Sequence, residues 1–575
     1  MDMFGGLTKT SSRIAIAAAL GLVVGGFAFK ATPARAADLG GDCCADLEER
    51  VAELEATTVR KGNKKVSVTL SGWVIKSFNW WDDGDINSAY VGDKGYDLGS
   101  RFAITGSATI APGWSAGYNL TVNVWGTKFA TGGTSLGLPV TGASNQFGEG
   151  GFGLNNGSSF GSINTLYSFI YLKSDRWGTL NWGHLSPASD NKVVLADISG
   201  TVIESNSVFF EGASFILRPK GDRIGGFGGL DNGLTWGNFL QCQGLGAGLG
   251  TDCFGAAQPA VRYDSPTWGG FSFQTSWGKQ EAINPIIGIP SPLSNFWDLA
   301  LMYTADWNSI KISAAYTYTW MESAADSGFF RPGFCDIDNR FLSSENDGCV
   351  GDVNTLDNAK LHQIGGSILH KPSGLGIFGQ YTHEATGGGD EFFGFANGLV
   401  DRGFDINEEN FLRISNPDTN TWYVKPFWRK VWGSMNGVGL GSLGATTLYG
   451  EYGQYNDQFQ AGLGGLCGTF DGSSGTNIDT FCNTVSFGNS SITAPVDVFV
   501  TGSEVQRWGL GVVQEIDAAA MHVYARWQHQ EIDLDLTGIT ETLNLNDGST
   551  TFHKEHVGQG FDNWDLFQVG GIIFF

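Results

Sequence analysis

The last thirteen residues read Asn563-Trp-Asp-Leu-Phe-Gln-Val-Gly-Gly-Ile-Ile-Phe574-Phe575. Counted back from the end, every second residue is Phe575, Ile573, Gly571, Val569 and Phe567. That is an amphipathic strand finishing on an aromatic residue. In water, an apolar strand edge of this kind templates aggregation. In a closed membrane barrel no edge is free, and lipid solvates the apolar face. The expectation is a transmembrane barrel, with Phe567, Val569, Ile573 and Phe575 as the assembly signal of its final strand.

The rest of the chain must then cross the membrane with strands. Its mean hydropathy is -0.08, whereas a helical membrane protein needs runs of ~20 apolar residues. The long apolar run is Ile14 to Phe29, preceded by Lys9 and Arg13 and followed by Ala34-Arg35-Ala36. This is the layout of a secretory signal peptide, residues 1–36, with cleavage after Ala36 or Ala37. An N-terminal anchor is the alternative; the short run and the good cleavage site speak against it. The chain carries Lys+Arg 34 against Asp+Glu 58, a net charge of -24. Removing residues 1–36 takes four cations and one anion away, which leaves -27. Such a charge disfavours nucleic acid as a partner and makes a pore that attracts cations.

Residues 37–65 form a separate periplasmic segment. Leu47, Val51, Leu54 and Thr58 follow 4-3-4 spacing among Glu and Arg, the pattern of a short amphipathic helix or coiled coil. A surface helix at the barrel mouth and a trimeric stalk fit it equally well. From Val66 the period changes to two. Phe102, Ile104, Ala108 and Ile110 alternate with Arg101, Thr105, Ser107 and Thr109. Tyr118 to Val124, Ile312 to Trp320 and Met521 to Gln528 alternate in the same way. Each segment suits a tilted strand with one lipid face and one aqueous face.

The fold class predicted is all-β, a transmembrane antiparallel β-barrel of about 16 strands over residues 66–575. The spans begin 66–81, 98–111, 115–128, 164–175, 178–186 and 258–266. They continue 270–279, 296–305, 310–321, 360–371, 375–385 and 420–432, and close with 445–457, 503–516, 520–533 and 563–575. Alternation is blurred in the fourth, fifth and eleventh, as a subunit interface or a misplaced boundary would make it. Short connections carry Trp114, Trp177, Trp268 and Trp307, placing one aromatic girdle at headgroup level. Long Gly/Ser/Asn/Asp-rich connections alternate with the short ones, as extracellular loops alternate with periplasmic turns.

The eight cysteines include three pairs within single long connections: Cys242-Cys253, Cys335-Cys349 and Cys467-Cys482. Exported chains form disulfides, so three loop staples are predicted. Metal binding would need C-x-x-C spacing or nearby His, and neither is present. Adjacent Cys43 and Cys44 do not readily pair with each other; bonds between subunits are open to them.

The longest connection, about 187–257, begins with an unusually apolar stretch containing Asp190, Asp197 and Glu204. A loop folded into the lumen needs such a surface to pack on the wall. These acids are the candidate constriction acids. Arg101, Arg262, Lys425, Arg429, Arg507 and Arg526 are the candidate bases facing them, with Arg101 and Arg526 inward by parity. Acids opposite bases would set a transverse field that sorts solutes by charge, while width sorts by size. The bland alternative is that these bases merely solvate the lumen. Gly113-Trp-Ser115-Ala-Gly117 matches G-x-S-x-G but opens a strand after a Pro-Gly turn, the wrong context for a nucleophile. Asp533-x-Asp535 and Asn546-Asp547-Gly548 are common loop pairs. Neither a catalytic set, a metal site nor a cofactor is expected.

Cys43-Cys-Ala-Asp-Leu-Glu-Glu-Arg-Val-Ala-Glu-Leu-Glu-Ala-Thr-Thr58, Lys65 to Val74 and Trp81-Asp-Asp-Gly84 resemble the start of an alphaproteobacterial porin of the rhizobial type. Val261 to Phe271 and the final Phe575 fit the same resemblance. It implies a homotrimer of sixteen-stranded barrels in the bacterial outer membrane, passing small hydrophilic solutes by diffusion. It also implies lipid, lipopolysaccharide and the barrel-assembly machinery as partners. The Pro-Glu-Phe-Gly-Gly constriction motif of enterobacterial porins is absent, so no constriction residue is carried over. The competing readings are a substrate-selective channel and a non-conducting barrel that acts as an adhesin. A TonB-type transporter would need a plug domain before the first strand.

Overall fold

The computed structural model describes residues 66–92, 94, 99–124, 163–205, 212, 215–220, 234–240, 257–280, 294–321, 359–385, 391–393, 413–415, 417–432, 443–459, 466–469 and 476–575. The signal peptide, the Leu47–Thr58 segment, Cys43, Cys44 and the Cys242-Cys253 and Cys335-Cys349 pairs lie outside them.

Sixteen strands form one closed antiparallel sheet. In chain order they are β1 (Ser67–Asp82), β2 (Ser100–Ala111), β3 (Trp114–Val124), β4 (Ile163–Ser174), β5 (Gly178–Leu185), β6 (Gln258–Asp264), β7 (Phe271–Gln280) and β8 (Ser294–Trp307). Then come β9 (Ile310–Met321), β10 (Ala359–His370), β11 (Leu375–Ala385), β12 (Thr419–Val431), β13 (Leu443–Asn456), β14 (Ser491–Ile516), β15 (Met521–Asn544) and β16 (Trp564–Phe574). Each pairs with the next, and β16 returns to β1 in the register Trp73↔Phe574 through Asp82↔Asp565. Phe575 completes the seam: its N–H donates to Gly72 O at 3.0 Å and its carbonyl accepts from Gly72 N–H at 2.9 Å. A Cβ at Gly72 would stand 2.2 Å from Arg101 O, so the seam there has room for glycine alone.

The pleat divides the side chains. Val74, Phe78, Ile170, Leu301, Ile364, Ile377, Leu510, Val569 and Ile573 face outward and are exposed, as a lipid face requires. Trp114, Trp177, Trp268 and Trp307 lie exposed at one end, Trp80, Trp182, Trp277, Trp297 and Trp422 toward the other. On β8, Trp297 and Trp307 are ten residues apart. At ~3.3 Å per residue and a tilt of ~40°, the two belts stand ~25 Å apart, the height of an outer-membrane apolar band.

Two elements depart from the expected spans. The strands β14 and β15 run well past 503 and 533. Pro495 and Gly502 read as strand breakers, but the sheet absorbs them as bulges at Pro495/Asp497 and Val500/Gly502. Neighbouring strands stop at Asn456↔Glu504 and Gln530↔Trp564, so the hairpin projects beyond the wall by ~40 Å of ladder. Thr550–His556 pairs with this projection, and the short helices Leu466–Thr469 and Asn477–Cys482 pack on it. The second departure is Asn87–Gly92, which pairs with β1 beyond β2 in a shifted register.

Candidate functional site, a loop fastened across the lumen

The connection after β5 turns inward. Asn191 takes a left-handed φ of 60°, Val194–Ala196 forms a single 3-10 turn, and Gly200 has φ 83°. The positive φ of Gly200 calls for glycine, and a Cβ there would press on the guanidinium end of Arg429 at 2.3 Å. Val193 and Ala196 pack against Ala315, Phe378 and Tyr423 on the wall. This packing accounts for the apolar character noticed in the sequence.

The loop's root is held by Asp298 of β8, fully buried. Its carboxylate accepts Ser189 N–H at 2.7 Å, Ser189 Oγ–H at 2.8 Å and Ser276 N–H at 3.1 Å. Arg262 donates to Ser186 O at 2.6 Å while paired with Asp264 at 2.8 Å. Further along, Ser367 Oγ donates to Ala196 O at 2.7 Å. Asp197 and Lys425 form an ion pair in which neither side chain is exposed. Lys425 also donates to Thr201 Oγ1 at 2.9 Å and to Ser205 Oγ. Arg429 joins Ser199 O at 3.1 Å to Glu515 at 2.7 Å. Glu204 Oε1 meets His522 Nδ1 at 2.7 Å. The described loop thus follows the inner wall from β7 and β8 past β10, β12 and β13 to β15.

The second half of the connection packs near the end of the barrel that carries the projecting hairpin. Phe215, Leu217, Leu234, Trp236, Phe239 and Leu240 join Trp81, Trp564 and the inner face of the hairpin in one core. Arg218 bonds Asp83 at 2.8 Å there.

The structure brings the predicted residues together in a different arrangement from the one expected. Asp197 touches Lys425 directly, and Glu204 lies against β15, whose Arg526 donates to its backbone carbonyl at 3.2 Å. These acids and bases are in contact, not held apart across a gap. Asp190 is buried and accepts from Ser186 and Asn191 at the loop root. Arg507 pairs with Glu451 at 2.9 Å on the wall, and Arg101 stacks over the Trp73 ring at 4.7 Å. Sequence reasoning missed Lys94, Asp298, Tyr449, His522 and Gln568. Asp298 had a signal: a carboxylate at an inward-parity position of β8. Lys192, on the loop, has a buried ammonium with no hydrogen bond. Burial lowers its pKa to about 8, Arg262 pushes it the same way, and Asp264, Asp190 and Asp298 oppose the shift. Among the described residues no group of three His, Cys, Asp or Glu could hold a metal ion. Cys467 and Cys482 are joined, with Cα atoms 5.3 Å apart, on the projecting face.

A closed sixteen-stranded barrel with two aromatic belts and an inward loop is an outer-membrane channel. The chain belongs to the Gram-negative porin family, which matches residues 17–515. It resides in the bacterial outer membrane and forms a channel for passive diffusion. It is similar in fold to the anion-selective porin from Comamonas acidovorans, at 14% identity over 89% of this chain and 100% of that one, with TM-score 0.42. Salmonella typhi OmpF, in a complex with daunomycin, is 12% identical over 90% and 99% of the two chains, with TM-score 0.40. Pseudomonas putida OprB is 9% identical over 92% and 97%, with TM-score 0.42. No curated protein matches the chain.

Proposed function

We propose that this porin passes small hydrophilic solutes and ions through a water-filled lumen narrowed by the loop that follows β5, with no catalytic activity and no cofactor. The observation carrying this reading is the continuous set of bonds from Ser186 to Glu204 along the inner wall, since a loop so fastened reduces the cross-section. Asp190, Asp197, Glu204, Arg262, Lys425, Arg429 and Arg526 act here as residues that hold the loop, and Arg101 and Arg507 as lumen charges. The N-terminal motif supports a place in the rhizobial-type branch. Residues 1–36 serve as the export signal, and the outward row ending at Phe575 as the assembly signal. We further propose a homotrimer. The resemblance of the N-terminal motif to rhizobial-type porins supports it. The test is single-channel recording in a planar bilayer with a salt gradient. Large ohmic steps in groups of three are expected; folded protein without conductance overturns the reading.

A further inference from the structure

One side chain outside every expected span reaches the end of the constricting loop. Lys94 lies between Asn87–Gly92 and β2, where the register with β1 shifts. The pairs Ser77↔Gly92 and Trp73↔Arg101 bracket the shift. Across it β1 advances four residues and its partner nine, so the partner has five residues more than a regular ladder uses. Lys94 sits in this surplus, fully buried, with its Nζ in the lumen. It donates to Glu204 O at 3.3 Å and to Gln568 Oε1 at 3.0 Å, and lies over the Tyr524 ring at 4.6 Å.

Glu204 O is where three strands of the wall converge. Besides Lys94, it accepts from Tyr449 Oη on β13 at 3.2 Å and from Arg526 Nη1 on β15 at 3.2 Å. Gln568 of β16 joins the two cations, accepting also from Arg526 Nε at 3.0 Å, and is itself held by Asn79 Oδ1 at 2.6 Å. A single carbonyl has two lone pairs and needs one partner when buried. Three donors, two of them cationic, go far beyond satisfying it. They hold one backbone atom in a fixed place from three directions, and charge-assisted donors are the stronger kind.

We propose that Lys94 is a positioning residue that latches the constricting loop shut at Glu204, and that the register shift between Asn87–Gly92 and β2 delivers this latch. The inference rests on the porin reading. Where the latch is released, the end of the loop leaves the β13–β15 wall and the passage becomes wider and less steady. The latch therefore controls the exclusion limit, separately from the charge that Lys94 adds to the lumen.

The test compares wild type, Lys94→Met, Lys94→Arg and Tyr449→Phe, each verified as folded by its heat-modifiable mobility on a gel. Lys94→Met should raise open-channel current noise and admit a trisaccharide into proteoliposomes about threefold faster than wild type, as a wider constriction does. Lys94→Arg should restore both. A residue that only adds charge would move the reversal potential and leave noise and sugar entry alone. That result overturns the latch. If Lys94→Met does not fold, Tyr449→Phe carries the test, since it removes one hydroxyl and should shift noise in the same direction; no shift overturns the proposal. A wild type that does not conduct refutes the porin reading itself, which separates the two failures.

Discussion

Lys425→Met isolates the strongest fastening of the loop. Lys425 and Asp197 are both 0% exposed, so solvent screening does not discount their interaction. Removing one member of such a buried pair costs ~3–5 kcal/mol, because the remaining charge is buried without compensation. Asp197 keeps the Ser199 N–H at 2.9 Å, which places the estimate at the lower end, ~3 kcal/mol. At ~1.4 kcal/mol per decade, that is about a hundredfold shift toward the detached loop. Amide hydrogen exchange in the detergent-folded protein reads this directly, since protection reports the opening equilibrium. The amides of Ser199, Thr201 and Ser205 should exchange about a hundredfold faster in Lys425→Met. The double variant Lys425→Met with Asp197→Leu should recover most of the protection, because an apolar pair carries no stranded charge. Thr201 and Ser205 remain bonded in it, with Ser205 Oγ donating to Thr201 O at 2.7 Å. Unchanged exchange in the single variant would refute the claim that this pair holds the loop. Equal loss in single and double variants would refute the stranded-charge account of it.

Replacing both Cys467 and Cys482 by Ala removes a bridge spanning 15 residues, worth ~3 kcal/mol by loop closure. Proteolysis within 466–482 should accelerate, while the heat resistance of the barrel stays as in wild type; a co-operative loss of both would show that the projection and the wall unfold together. Lys192 gives a pH dependence. Its pKa is about 8 in the folded chain against 10.5 in the unfolded one, so its buried charge opposes docking of the loop root at lower pH. This penalty fades as pH rises from about 8 toward 10.5, and channel noise should fall across that window. Lys192→Met should be quieter at pH 7 and flat with pH; a wild type with no change in noise refutes the assignment.

The barrel was legible because alternation is a local property that sixteen strands repeat. Even β4, β5 and β11, with blurred patterns, lie where turns on either side fixed them. The projection of β14 and β15 was not legible, since Pro495 and Gly502 break strands in isolation and only the pairing with β15 turns them into bulges. Asn87–Gly92 was passed over because six residues between Asp82-Asp83-Gly84 and Gly95 read as loop. At the site, parity gave direction without partners. It placed Arg101 and Arg526 inward, yet Asp197 and Lys425 are 228 residues apart, and nothing local links them. His522, Gln568 and Tyr449 carry no charge that sequence reading would single out, though geometry makes His522 and Tyr449 contacts of Glu204 and Gln568 a partner of Lys94 and Arg526.

The same contacts separate two quantities that the sequence treats as one. A net charge of -24 favours a cation-selective pore only if the excess acid lines the narrowest part. Around the loop four acids are paired with bases: Asp197 with Lys425, Glu515 with Arg429, Glu451 with Arg507 and Asp264 with Arg262. A contact pair presents a dipole whose field falls off faster than that of a free charge, and salt screens the remainder within ~10 Å at 0.1 M. Selectivity is then expected to come from the acidic connections between strands, where salt screens most strongly. The cation preference should be marked at 10 mM salt and nearly vanish at 1 M, as the Debye length shrinks from ~30 Å to ~3 Å. Reversal potentials measured across that range check this. A preference that persists at 1 M would place unpaired acid at the constriction itself and refute the pairing argument.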